Sequence, residues 1–345
     1  MNKIKLIGTI IAKIILVIFI VVTFNLIMMP KYITENQDGR IIAEMYREKV
    51  SPDIVGVGSS VLYSGVIPEM MYQNYGLTAY ICASSSQTSW NSYCVLKEAL
   101  RIYNPKLVVF DIGFLTTQDD YAEEVSNRKL FDYMKNTSNK YNGIDRAMAD
   151  GESKWSYLMP ALRYHERYKD LSVDDFKYAF IKPSVTYSGY IMNLNTSANL
   201  PEVSVSEDIE NMVLNDCNKE YLYKIIKLCE DNNAELILIK TPSYQPKWGD
   251  TFEQSIKEVA LQNNLKYVNF DEYTNAMGID WMMDSPDEGG HLNVYGGAKF
   301  SLYLGAYLSN EYNLPDRRED TDYNRLWDDK VKRFNNDLEK RLSSL

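Results

Sequence analysis

Two short stretches near opposite ends of the chain carry the residue types that nucleophilic catalysis needs. The first is the sequence GVGSSV at 56–61, in which glycines permit a sharp turn just before Ser60. The second is an acidic, glycine-containing loop that leads to His291, one of only 2 histidines in the chain. A serine hydroxyl becomes nucleophilic when an imidazole takes its proton, and a carboxylate orients that imidazole. We therefore expect Ser60 as nucleophile, His291 as base, and Asp287 or Glu288 as the carboxylate partner.

Each stretch alone also has a purely structural interpretation. A Gly-Ser-Ser turn needs no catalytic role. Acidic residues that precede a helix, here one that starts near Tyr295, can simply cap its N-terminus.

Taken together, the two stretches resemble the conserved blocks of the SGNH (GDSL-type) hydrolase superfamily. The sequence GSSV at 58–61 matches the first block, Gly-Asp-Ser-Leu, with Ser60 at the nucleophile position and Ser59 in place of the aspartate. The sequence EGGH at 288–291 matches the last block, Asp-x-x-His, with His291 as the base. Glu288 keeps the family spacing to the histidine, whereas Asp287 keeps the residue type, so either could orient the imidazole.

This resemblance covers residues 53–113 and 234–308 and implies both a fold and an activity. The implied fold is α/β: a flavodoxin-like three-layer α/β/α sandwich with a parallel sheet, here preceded by one transmembrane helix. The implied activity is a serine mechanism directed at esters, with no cofactor. An altered or inactive member of the superfamily remains an alternative, because the middle blocks are poorly matched.

The donors that would stabilise an oxyanion are the least clear part of the resemblance. The glycine and asparagine that the superfamily uses are not recognisable, and the second predicted strand is followed by CASSSQ at 82–87. Backbone amides around Ser84 to Gln87, with Ser86 among them, the Ser60 amide, or the Gln87 side chain could supply these donors. Asp111, after the third predicted strand, could do so only if protonated.

The N-terminal segment determines where such an enzyme would work. Residues 7–29 are nearly all apolar over the ~20 residues that cross a bilayer, and Lys3, Lys5 and Lys13 lie at the start of the segment. The positive-inside rule then places the N-terminus in the cytoplasm and the main domain outside. A cleaved signal peptide is the competing interpretation, but its small-residue cleavage site is missing. We expect a single-pass protein of the cell membrane.

Within the superfamily, a membrane anchor followed by Gly-Ser-Ser, with His-Leu-Asn near the end, looks like proteins of Gram-positive envelope modification. These include the D-alanyl-lipoteichoic acid biosynthesis protein family and the SGNH partners of membrane-bound O-acyltransferases. The likeness implies a cell-envelope polymer as substrate, such as a polysaccharide or teichoic acid, and a membrane-bound O-acyltransferase as a potential partner.

The elements that must position these residues alternate as strand and helix, which favours a parallel sheet with helices on both faces. Reactive groups in such sheets collect at the carboxyl ends of the strands. Strands are predicted at 53–58, 78–83, 107–112, 235–240 and 266–269, and helices at 37–49, 68–75, 89–103, 207–232, 251–263 and 295–309. The predicted organisation is an anchor at 1–32, an α/β domain at 33–116 and 206–312, an insertion or cap at 117–205, and a charged helical tail at 313–345.

The composition of the chain argues against some kinds of binding partner. A formal net charge of −10 argues against nucleic acid, because neutralising phosphates requires a basic face. The 4 cysteines form no C-x-x-C pair, so we expect no zinc or other metal site, and we favour free thiols over disulfides. His165 lies in the insertion, where Arg163 or Arg167 could contact a polyanionic substrate.

Two other functions are compatible with the sequence. One is a non-catalytic envelope scaffold that binds polymer and recruits a membrane O-acyltransferase. It would place Ser60 far from His291. The other is a lipid esterase, which predicts an apolar tunnel rather than a polar, tyrosine-lined groove. The sequence alone does not decide between hydrolysis and acyl transfer.

Overall fold

A parallel five-stranded sheet forms the centre of the molecule. The computed structural model describes residues 3–117, 122–202, 210–245 and 248–344. The sheet order is β2-β1-β3-β4-β5, the flavodoxin-like arrangement, and every neighbouring pair is parallel. The strands are β1 (Ile54–Gly58), β2 (Ala79–Ala83), β3 (Leu107–Asp111), β4 (Glu235–Lys240) and β5 (Lys266–Asn269). The predicted fold class is confirmed, and the predicted strands begin and end within one residue of the observed ones.

Helices cover both faces of this sheet, because its central strands are apolar on both sides. On one face the alternate residues Val55, Val57, Val108 and Phe110 pack into one core cluster. The other face contributes to a second cluster. The helices of the first face are α5 (Ser89–Ile102), α11 (Asp216–Asp231) and α12 (Asp250–Gln262), and those of the second are α3 (Ser60–Gly65), α4 (Pro68–Tyr75) and α15 (Val294–Glu311).

Shorter helices occupy the remaining described chain. The stretch predicted as an insertion contains α6 (Glu124–Phe131), α7 (Ser138–Ala147), α8 (Lys154–Leu158), α9 (Ala161–Tyr164) and α10 (Val173–Phe180). The others are α2 (Ile41–Met45), α13 (Thr274–Met277) and α14 (Trp281–Asp284). The predicted helix at 207–232 starts among residues outside the described ranges. Residues 211–215 are not helical, which corrects this part of the prediction, and the helix α11 begins after the cap at Asn215. The predicted helix at 37–49 is shorter than expected, a 3-10 turn at Gln37–Arg40 followed by α2.

The charged tail packs on the α/β core through α16 (Asn324–Leu342). Trp327 stacks on Tyr72 with 5.3 Å between ring centroids, and Phe334 is buried against Tyr187 and Tyr190. Just before this helix, Arg317 forms a two-point ion pair with the buried carboxylate of Asp53, with both N–O distances 2.8 Å.

The N-terminal helix α1 (Lys3–Met28) stands apart from this core. Its segment Lys5–Met28 is long and apolar enough to cross a membrane, and it is almost entirely exposed. The four cysteines, Cys82, Cys94, Cys217 and Cys229, are free thiols.

Candidate active site

Ser60 lies just beyond the carboxyl end of strand β1, at the first position of α3. The turn between them is too tight for a side chain at Gly58. A Cβ there would lie 2.7 Å from Cβ of Asp111 and 3.2 Å from Cδ2 of Leu62. The chain therefore reverses direction directly after the strand, and the Ser60 hydroxyl is presented at the sheet edge.

His291 reaches the same edge from the loop that precedes α15. Its Nε2 lies 2.7 Å from Oγ of Ser60, although 231 positions separate the two residues in the chain. This is hydrogen-bond distance, and it is the geometry that a general base needs to take the hydroxyl proton.

Asp287 is the carboxylate that orients the imidazole. Its Oδ2 lies 2.5 Å from Nδ1 of His291, and its Oδ1 accepts a 2.9 Å hydrogen bond from the His291 amide. Partial burial opposes ionisation of this carboxyl group. The hydrogen bonds from His291 outweigh that effect and hold the pKa of Asp287 below its ordinary value. With the imidazole proton on Nδ1, Nε2 is free to accept the proton of Ser60.

Glu288 does not occupy the position that its family-like spacing suggested. It adopts a left-handed conformation with φ 60°, its side chain is exposed, and its amide donates a 2.8 Å hydrogen bond to Oγ of Ser197. Within the described chain, no hydrogen bond joins its carboxylate to His291. Of the two alternatives, the geometry supports Asp287 and corrects the assignment of Glu288. The physical reason is the loop backbone, which turns at Glu288 and at Gly289 (φ 94°).

Gln87 is also placed differently from its predicted role as an oxyanion donor. Its side chain is buried and accepts a 3.0 Å hydrogen bond from Ser84 Oγ, while its Nε2 donates to Ser92 Oγ at 3.2 Å and to the Cys82 carbonyl at 3.4 Å. These contacts hold the loop after β2 in shape. Both the oxygen and the nitrogen of the Gln87 amide group therefore already have partners within or next to this loop. This corrects the prediction that the Gln87 side chain donates to an oxyanion.

Ser86, the other predicted donor residue, lies exposed at the tip of the same loop with φ 49°. Among the described residues its side chain makes no hydrogen bond with Ser60 or His291. The Ser60 amide opens α3, and neither it nor the Ser86 amide donates a backbone hydrogen bond in the described structure. The role of these two amides at an oxyanion stays a prediction.

Asp111 lies behind the turn, with both oxygens occupied by backbone amides. It accepts a 3.0 Å hydrogen bond from the Gly113 amide and a 2.8 Å bond from the Thr241 amide. Complete burial raises the pKa of this carboxyl group. Asp111 therefore supports the ends of β3 and β4 and does not face the reacting hydroxyl.

A polar cluster that lies next to Ser60, His291 and Asp287 was not predicted from the sequence. Oδ2 of Asp38 accepts hydrogen bonds from Ser85 Oγ at 2.5 Å and from Lys129 Nζ at 2.9 Å, and the Tyr63 hydroxyl lies 3.3 Å from Ser85 Oγ. The cluster and His291 line one cleft of about 690 Å³. Asp38 and Lys129 stand 91 positions apart in segments without a motif, so no spacing in the sequence could have connected them.

The arginines of the predicted insertion have partners within the molecule. Arg163 binds Glu124 at 2.9 Å, and Arg167 binds Asp175 and the Met28 carbonyl, both at 2.6 Å. His165 is exposed, and its Nδ1 lies 2.9 Å from the Leu162 carbonyl. These residues hold the helices near the end of α1 together.

Searches among known proteins give structural likenesses at low identity. No family model matches the chain, and no curated protein matches it. A protein assigned to the G-D-S-L lipolytic family from Desulfitobacterium hafniense DCB-2 has TM-score 0.37 and 11% identity, over 73% of this chain and 97% of that one. A protein assigned as an acylhydrolase from Bacteroides fragilis NCTC 9343 has TM-score 0.35 and 12% identity, over 78% of this chain and 94% of that one.

A third structure, a gut microbial diltiazem-metabolizing enzyme, has TM-score 0.29 and 14% identity, over 75% of this chain and 48% of that one. Similarity at this level does not assign an activity.

Proposed function

We propose that the protein is a serine esterase or acyltransferase of the SGNH type, with Ser60, His291 and Asp287 as its catalytic triad. The observation that carries this proposal is the continuous hydrogen-bonded chain from Ser60 Oγ through both ring nitrogens of His291 to Asp287. A serine, an imidazole and a carboxylate in this order are the parts that acyl transfer through a covalent intermediate requires.

The geometry supports the following sequence of steps. Nε2 of His291 takes the proton from Ser60 as Oγ attacks the acyl carbonyl, and Asp287 stabilises the imidazolium that forms. The tetrahedral intermediate collapses, the ester C–O bond breaks, and the leaving alkoxide takes the proton from His291. The result is an acyl-serine. A water molecule or an acceptor hydroxyl then attacks the acyl-serine, with His291 again acting as base.

The cleft beside the triad favours a polar substrate. Its walls include Asp38, Lys129, Tyr63 and Arg341, which can hydrogen-bond a hydroxyl-rich molecule, beside apolar residues that can contact a short acyl group, namely Ile33, Ile191, Met192 and Leu292. A lipid esterase would instead need an apolar tunnel at this place. We therefore propose acyl or D-alanyl esters of a cell-envelope polymer as the substrate class.

The proposed location is the outer face of the cell membrane. The anchor helix and the lysines that begin it support a single pass with the N-terminus in the cytoplasm, following the positive-inside rule. A membrane-bound O-acyltransferase that supplies the acyl group is the proposed partner, on the strength of the sequence resemblance. The scaffold alternative predicted Ser60 and His291 far apart, and the 2.7 Å separation favours the enzyme.

Hydrolysis of a soluble acyl ester by the full chain in neutral detergent tests this proposal. Ser60→Ala should lower kcat/KM by about a thousand-fold or more, because the nucleophile is lost. Ser138→Ala, which removes an exposed hydroxyl at the start of α7, is the matched control and should leave the rate unchanged. Equal turnover by Ser60→Ala and the wild-type protein would refute the mechanism.

A further inference from the structure

A belt of exposed apolar side chains lies on the helices from α8 to α10. Trp155 is 68% exposed, Val173 82% and Phe180 61%. Large apolar side chains at such exposure are costly in water when they cluster, and clusters of this kind mark contact surfaces. The other members of the belt are Met159, Leu162, Tyr168, Phe176 and Ile181.

This belt surrounds the point where the anchor helix meets the rest of the protein. Asn25 of α1 accepts a 2.9 Å hydrogen bond from the Ala161 amide, and Arg167 donates to the Met28 carbonyl at 2.6 Å. The outer end of α1 is thus fixed to the helices that carry the belt. If α1 crosses the membrane, as proposed above, the bilayer surface lies against these helices.

A pocket of about 350 Å³ opens at the same place. Part of its wall is apolar and includes the last turn of the anchor. The rest is unusually basic, with five cationic side chains against the single carboxylate of Asp132, which is already bonded by Arg128 and Tyr164. The apolar residues are Leu26, Met29, Pro30, Tyr133 and Ala179, and the cationic ones are Lys31, Arg40, Arg47, Lys135 and Lys182.

Arg40 places a buried positive charge with incomplete hydrogen bonding in this pocket. Its side chain is 5% exposed, yet its Nε and Nη2 atoms have no hydrogen-bond partner in the described structure. The nearest carboxylate oxygen, Oε1 of Glu44, lies 4.0 Å from Nε, and Glu44 already accepts hydrogen bonds from the amides of Val185 and Thr186. Two buried guanidinium nitrogens without hydrogen bonds are unfavourable, and the carboxylate 4.0 Å away is shared with two backbone amides, so an anion bound beside Arg40 would be stabilised.

The rim of the pocket supplies further positive charge. Lys135 and Lys182 are exposed, while Arg47 is held by the Lys182 carbonyl and by Ser184. A planar guanidinium and two exposed ammonium groups around one pocket suit the oxygens of a phosphate diester. The apolar wall formed by Leu26 and Met29 suits the start of an acyl chain rather than water.

We propose that this pocket binds the phosphodiester headgroup of an anionic phospholipid from the membrane that α1 crosses. Arg40 contacts the phosphate, Lys135 and Lys182 neutralise it at the rim, and the acyl chains run along the end of α1 towards the belt. The inference rests on the membrane placement proposed above, but not on the esterase chemistry. Lipid binding at this site would fix the orientation of the domain on the bilayer.

The test measures the thermal midpoint of the full chain in neutral maltoside detergent, titrated with phosphatidylglycerol, phosphatidylcholine or glycerol 1-phosphate. We expect saturable stabilisation by phosphatidylglycerol alone. Arg40→Met and the double variant Lys135→Gln/Lys182→Gln should weaken the apparent affinity about ten-fold or more. Lys106→Gln, exposed at the amino end of β3, is the control and should bind like the wild-type protein.

The lipid-free proteins distinguish a binding role of Arg40 from a structural one. Arg40→Met should be as stable as the wild-type protein without lipid, or more so, because it removes a buried charge whose ion pair with Glu44 is long, at 4.0 Å. Equal stabilisation by phosphatidylcholine or glycerol 1-phosphate, or unchanged affinity in the rim variant, would overturn the proposal. The measurement uses no ester turnover, so failure of the esterase proposal would leave its result intact.

Discussion

Asp287 and His291 are joined at two points: the carboxylate lies 2.5 Å from Nδ1 of the ring and accepts a 2.9 Å hydrogen bond from the backbone amide. The ring is therefore held in one orientation, with Nε2 directed at Ser60. Glu288, next in the chain, has its side chain in solvent. This pairing distinguishes two carboxylates that the sequence leaves equivalent.

Asp287→Asn should lower kcat for a soluble ester by about a hundred-fold to ten-thousand-fold, because an amide favours the wrong tautomer of His291 and cannot stabilise the imidazolium. Glu288→Gln is the matched control and should retain nearly full activity. Steady-state kinetics of the two variants check this. A larger loss in Glu288→Gln than in Asp287→Asn would contradict the assignment.

The stability that the Asp287 carboxylate provides should depend on pH in a defined direction. Its pKa is lower in the folded chain than in the unfolded chain, whose carboxyl group has the ordinary value of about 3.9. In acid the unfolded chain binds more protons, so this contribution is present above about pH 4 and is lost as pH falls through the folded pKa. Thermal unfolding of the wild-type protein and Asp287→Asn at neutral and acid pH measures it. A stability difference between the wild-type protein and Asp287→Asn that increases as the pH falls would contradict this prediction.

Gly58→Ala should disturb the turn that presents Ser60. The added methyl group would meet Asp111 Cβ at 2.7 Å, so the strand end or α3 must shift, at a cost of about 1–3 kcal/mol. Lower thermal stability together with a lower kcat is the expected result. At Gly290 the nearest atom to an added methyl is 3.5 Å away, so Gly290→Ala should lose less stability. Equal stability losses would show that the turn is not tightly packed.

Arg317→Leu should destabilise the protein by about 3 kcal/mol, because it leaves the buried carboxylate of Asp53 without its ion-pair partner. Arg318→Leu breaks the exposed pair with Asp316 and exposed hydrogen bonds to the Gln73 and Asn74 carbonyls, and it should cost about 1 kcal/mol or less. Denaturant or thermal unfolding of both variants makes the comparison. Similar losses would mean that the tail is not anchored through Asp53.

The sequence predicted the sheet well because its signals are local. Each strand is a short apolar run bounded by turn residues, and both faces of the central strands are buried. Ser60 and His291 were predicted from similarly local signals, since one follows a glycine turn and the other is one of 2 histidines in the chain.

The remaining features depend on contacts that no local pattern encodes. Asp287 and not Glu288 pairs with His291 because Glu288 itself adopts a left-handed conformation inside the loop. The spacing of either carboxylate from the histidine is compatible with pairing, so the sequence does not distinguish them. Gln87 was misassigned because its hydrogen bonds to Ser84 and Ser92 form only once the loop after β2 has folded. The contact between Asp38 and Lys129 joins distant segments and appears only in three dimensions.

Labelling with a fluorophosphonate probe tests the central claim most directly, because the probe reacts only with a serine whose hydroxyl is activated by a base. Peptide mass spectrometry of the labelled full chain should locate the adduct on Ser60. Labelling should be absent in Ser60→Ala and greatly slowed in His291→Ala. An adduct on another residue, or equal labelling of the wild-type protein and Ser60→Ala, would contradict the account.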